Sequence, residues 1–174
     1  MKSKLYKAAV LLLLAALVGS VFVFGWSHYV EYSSRQALHL VSQHAHDITA
    51  VEVLSITGAS ESGAAGSYRL PYDHARYGVT ARHTLTGEQA AELVRTWSRV
   101  RFIEGILAGC HSPGFVLRFL AGHRTVFEVA VCFDCENVSY SPAPFESALI
   151  QMSTPKFDPK SGTEELKTFL TQLQ

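Results

Sequence analysis

Two alternating segments joined by a short glycine-containing stretch constrain this chain more than any other feature. Phe115 to Leu120 and Thr125 to Phe133 each alternate as strands do, and Ala121-Gly122-His123 supplies a glycine for a tight reversal. Phe115, Leu117 and Phe119 share one face of the first strand; Phe127, Val129, Val131 and Phe133 share one face of the second. Val116, Leu120, Val126 and Ala130 make the opposite face apolar too, which predicts a hairpin central to its sheet. A register with Leu117 opposite Phe127 puts Phe115 opposite Val129. Extended further, it brings Cys110 toward Cys132 and Asp134. Pro113 disturbs the ladder on the way, because it has no amide donor.

That register unites the three cysteines of the chain, Cys110, Cys132 and Cys135. Four chemistries compete for them. A structural disulfide, Cys110 with Cys132 as the first candidate and Cys135 as the alternative, closes about 22–25 residues and contributes roughly 3 kcal/mol in the chain-entropy model. Its Cα atoms are expected within about 7 Å. A bridge inside Cys132-Phe133-Asp134-Cys135 closes too small a loop to stabilise much. A zinc site would use Cys110, His111, Cys132 and Cys135, a Cys3His set that suits tetrahedral zinc, although adjacent Cys110 and His111 are awkward as two ligands of one ion. A redox dithiol fits worst, since Glu136 to Pro142 is a poor helix former and adds negative charge, which raises a thiol pKa.

Cys110-His111-Ser112-Pro113, the following Gly114 to Arg118, and Val131-Cys132-Phe133-Asp134-Cys135 resemble a pattern in small uncharacterised bacterial envelope proteins. In those a Cys-x-x-Pro segment and a short hairpin lead into Cys-Phe-x-Cys. The resemblance covers the cysteine region alone and implies that the three cysteines act as one unit. It implies no activity.

Lys2, Lys4 and Lys7 precede an uncharged run from Ala8 to Trp26. At about 1.5 Å per residue, such a run covers a hydrocarbon core of about 30 Å. Basic residues ahead of it predict a cytoplasmic N-terminus and a single transmembrane anchor, with the remainder on the outer, periplasmic side of the inner membrane. A cleaved signal peptide is the alternative. Basic and acidic residues balance at fifteen each, and removing the three N-terminal lysines leaves a mildly acidic domain, so no nucleic-acid partner is expected.

The rest reads as one domain. Residues 1–26 form the anchor, 27–46 a juxtamembrane linker or helix, and 47–174 a single globular unit. Ile48 to Ile56, Tyr68 to Leu70 and Tyr77 to Leu85 read as strands. Thr86-Gly87-Glu88-Gln89 has capping-box spacing, and Ala90, Leu93, Val94 and Trp97 then fall at helical spacing. Ser161 or Thr163 caps a last helix whose stripe is Leu166, Phe169, Leu170 and Leu173. The expected class is α+β, with an N-terminal transmembrane helix followed by a small antiparallel sheet bearing helices on one face.

Other constellations weigh less. His39, His44 and His46 with Asp47 offer a metal patch whose bland reading is a set of solvated histidines. Ser67 with Asp73-His74 lacks the Gly-x-Ser-x-Gly elbow of a hydrolase. Arg95, Arg99 and Arg101 read as the exposed side of a helix and its exit. The expected function is therefore a non-catalytic, membrane-tethered binding or structural module for an envelope protein or ligand, with no cofactor. The alternative is a zinc-binding or thiol-redox protein using Cys110, Cys132 and Cys135.

Overall fold

The computed structural model describes residues 17–21, 25, 39, 41–59, 65–70, 76–103, 112–141 and 156–174. Along the chain run β1 (Ala50–Ala59), β2 (Ser67–Arg69), β3 (Arg76–Thr86), α1 (Gly87–Arg99), β4 (Phe102–Ile103), β5 (Phe115–Ala121), β6 (Arg124–Cys132), β7 (Asn137–Ser141), β8 (Lys156–Phe157) and α2 (Thr163–Thr171). All eight strands join one sheet in the order β2-β3-β1-β5-β6-β7-β8-β4, and each neighbouring pair is antiparallel.

This corrects the expected fold class. The sheet is not small; it is most of the structure, and α1 and α2 have only 13 and 9 residues. Among the described residues no helix is long and apolar enough to cross a membrane, so the predicted transmembrane anchor has no support. Most of the Ala8–Trp26 run lies outside the described residues, as does most of the 27–46 linker.

The hairpin β5–β6 sits inside the sheet with both faces used. Gly122 takes φ +60 at the two-residue reversal, and Ala121 pairs directly with Arg124. A register irregularity between Phe119 and Leu120 then sets Phe119 opposite Phe127, Leu117 opposite Val129 and Phe115 opposite Val131. The expected register was thus two residues out while its parity was right. Pro113 does not end the pairing either: the Gly114 amide donates to the Val131 carbonyl at 3.0 Å, and the Gly114 carbonyl accepts from Ile56 at 2.9 Å.

The odd-numbered face carries the larger core. Val51, Val53, Leu117, Phe119, Phe127, Val129 and Val131 meet Leu93, Val94 and Trp97 of α1 and Leu166 and Leu170 of α2. Trp97 stands 5.8 Å from the Phe119 ring and 6.1 Å from the Phe127 ring, centroid to centroid. Each large apolar side chain so buried contributes about 1.5–3 kcal/mol, which holds two short helices where they lie. Their caps contribute less than expected. Thr86 makes no side-chain cap bond, because the chain enters α1 through Gly87 at φ +54. Ser161 and Thr163 instead donate their hydroxyls to the Asp158 carbonyl, at 2.8 and 3.1 Å, and tie the loop before α2.

The opposite face holds a second core of Leu54, Ile56, Leu70, Tyr77, Val79, Val116 and Ala130, with Tyr68 packed against it. Its cover comes from the sheet itself. β1 and β3 slip register between Ser55 and Ile56 and again before Ala59. Bulges of this kind bend a strand. The bend returns β2 across the face, since Tyr68 of β2 hydrogen-bonds Glu128 of β6. Those strands are four ladder steps apart. In a flat sheet, at about 4.8 Å per step, they would lie roughly 19 Å apart.

Helix α2 approaches α1 through Gly162, where an added Cβ would lie 2.9 Å from the Arg99 Cβ. Gly162→Ala is therefore expected to cost about 1–3 kcal/mol by overpacking, read as a lower midpoint in urea denaturation. The same change at Gly114, where nothing lies within 4 Å of the added atom, should cost less.

Candidate functional site

A charged residue sits within each of three largely apolar strands: Glu52 in β1, Arg118 in β5 and Glu128 in β6. The register places them in a row, Glu52 opposite Arg118 and Arg118 opposite Glu128. Arg118 Nη1 donates to Glu52 Oε2 at 2.7 Å, and Arg82 Nη1 of β3 donates to Glu52 Oε1 at 2.6 Å. Arg118 Nε lies 2.8 Å from Glu128 Oε2, an ion pair without an aligned hydrogen bond. The Tyr68 hydroxyl donates to Glu128 Oε1 and completes the row. Five side chains from five strands neutralise one another beside the second core.

Burial first, then the hydrogen bond to Glu128, pushes the Tyr68 phenol far above its ordinary pKa. Burial pulls the Arg118 pKa down, but the hydrogen bond to Glu52 and the Glu128 charge outweigh it and raise it overall. Both directions favour the forms present at neutral pH, a protonated phenol and a charged guanidinium. Sequence reading missed this row. The available signal was a charge at an even, mid-strand position of each largely apolar strand: Glu52, Arg118 and Glu128.

The cysteine turn is built differently from its expectation. Cys132 ends β6 with a buried, free thiol, so the expected Cys110–Cys132 disulfide is not formed. The two-residue change of register removes the reason for pairing those positions. Phe133 to Cys135 then turn back; Glu136 donates its amide to the Phe133 carbonyl at 3.2 Å and takes φ +53, which is uncommon for a residue with a Cβ. The turn aims the Cys135 amide at Cys132 Sγ, 3.2 Å away. Cys135 is half-buried and disulfide-bonded. Cys110 and His111 lie outside the described residues.

Of the expected zinc set, then, Cys132 and Cys135 are described. A disulfide sulfur offers no thiolate to a metal, and among the described residues no three metal-ligating groups converge. Phe133 is committed to packing: it stacks on Phe157 at 5.9 Å, meets Phe115 edge-on at 6.0 Å and carries Lys167 Nζ 6.0 Å above its ring. His44 Nδ1 and His46 Nε2 each stand 3.4 Å from the Asp47 carboxylate, exposed. Ser67 is exposed on β2, while Asp73 and His74 fall outside the described residues. Arg99 pairs with Glu165 at 3.0 Å on the surface.

In comparisons with protein-family models, curated proteins and solved structures, nothing matches this chain.

Two outcomes follow from this geometry. A phenol whose folded pKa is raised contributes stability that is whole below the unfolded value of about 10 and is lost as pH climbs above it. Denaturation of the native chain at pH 8 and pH 11 should therefore show a fall that Tyr68→Phe reduces, while at pH 8 the substitution itself costs about 1.5–3 kcal/mol as a lost bond to a charged group. Alkylation of the denatured, unreduced chain should label Cys132 and leave Cys135 unlabelled; peptide mass mapping reads the result.

Proposed function

We propose that this domain is a non-catalytic structural or binding module that works outside the cytoplasm. One observation carries the reading: the ionisable groups on the sheet face are turned toward one another, Tyr68 and Arg118 on Glu128, Arg118 and Arg82 on Glu52. A carboxylate engaged by a guanidinium on one oxygen and by a phenol or a second guanidinium on the other is poorly placed to take a proton from a substrate. It is well placed to hold strands in register. The disulfide at Cys135 supports an oxidising compartment, where such bonds persist.

A thiol-based protein is the second reading. It is favoured by the Cys135 amide, which donates to the buried, free Cys132 sulfur at 3.2 Å. Its zinc version requires Cys135 to be reduced first.

The purified chain is expected to turn over none of a panel of ester, phosphomonoester and peptide substrates, and Glu128→Gln to lower its melting temperature. Turnover that Glu128→Gln abolishes in a folded chain would overturn the structural reading. Elemental analysis separates the second: one zinc per chain, with an intact mass showing all thiols reduced, would favour the metal.

A further inference from the structure

Two buried polar atoms on the larger-core side of β1 and β3 have no hydrogen-bond partner among the described residues, Ser55 Oγ and His83 Nε2. The ladder sets Val53 opposite His83 and Ser55 opposite Ala81, so Ser55 and His83 are diagonal neighbours on one face. Ser55 is 2% exposed, and its other cross-strand neighbour is Phe115. Ser55, buried, and His83, half-buried, thus bring an unpartnered hydroxyl and an unpartnered imidazole nitrogen to one face of the β1–β3 ladder.

The position in the ladder matters. The first β1–β3 irregularity falls immediately after Ser55, and Thr80, left over by the slip, donates its hydroxyl to the Ser55 carbonyl at 3.2 Å. Bulges open the ladder locally. Diagonal neighbours are spaced at about 7–8 Å. After the reach of the two side chains, a gap of that size is spanned by one molecule making two hydrogen bonds of about 2.8 Å each. A serine hydroxyl donates or accepts, and an imidazole nitrogen does either according to tautomer, so the guest must also do both.

We propose that Ser55 and His83 hold one internal water at this bulge. It tethers β1 to β3 where β3 bends to bring β2 over the second core. Its chemistry is that of buried waters generally, which settle on polar groups that would otherwise be unsatisfied. The site stands independently of the proposed function.

Magnetic relaxation dispersion on the full chain counts long-lived internal waters. Ser55→Ala is expected to hold one fewer than the native chain and to melt several degrees lower. An unpartnered hydroxyl gives the opposite result, an equal count with an unchanged or higher melting temperature, because its removal relieves a desolvation cost. A direct Ser55–His83 bond gives a lower melting temperature with an equal count; either equal count overturns the proposal. If Ser55→Ala does not fold, His83→Phe must lose the same water, and retention of that water overturns the proposal equally.

Discussion

The hairpin β5–β6 is apolar on both sides, and a strand pair of that kind has no stable place at a sheet surface. Everything else in the fold answers the resulting demand for two covers. Helices α1 and α2 supply one, through Trp97, Leu93, Leu166 and Leu170 over Phe119, Phe127 and their neighbours. The other is made without a helix. A sheet of eight strands has enough length at its β2–β3 end to roll back on itself, and Leu70, Tyr77 and Val79 close over Val116 and Ala130.

Rolling a sheet onto its own face requires that the register be fixed, since one side buries helices and the other buries strands. The row of charges acts on this point. A slip of one residue in β1, β5 or β6 would turn Glu52, Arg118 or Glu128 toward Trp97 and the helices. There each would be a charge in an apolar core with no partner, at a cost of several kcal/mol. Ion pairs in this setting are weak sources of stability and strong sources of uniqueness. Glu128, with 8% exposure, carries most of that discrimination.

Local pattern was readable where it set a face. The alternation of β5 and β6, the Leu93–Trp97 stripe and the Leu166–Leu170 stripe each follow from a period that the chain repeats several times. What depended on a single atom was not readable. The hairpin register turned on a two-residue reversal and one irregularity near Leu120, and that small offset removes the ladder argument for pairing Cys132, whose thiol is free. The helix starts turned on backbone dihedrals at Gly87 and Gly162, so hydroxyls with capping spacing went unused or found Asp158. β4 and β8, two residues each, are too short to show any period. The Tyr68–Glu128 contact joins residues sixty apart through a bend, and no local pattern announces it.

That bend also divides the molecule by the ease with which its parts open. The strands β1, β5 and β6 are hydrogen-bonded on both sides and covered on both faces, so their amides are released to solvent only when the whole fold is lost. The three residues of β2 stand at the sheet's edge, paired along the ladder with β3, and the Tyr68 hydroxyl ties them to Glu128 of β6. Loss of that phenol contact is expected to loosen the sheet's end over Leu54, Val116 and Ala130 before it disturbs the helix-covered core. The domain is thus two apolar layers sharing one sheet, one closed by helices and the other by the sheet's own end.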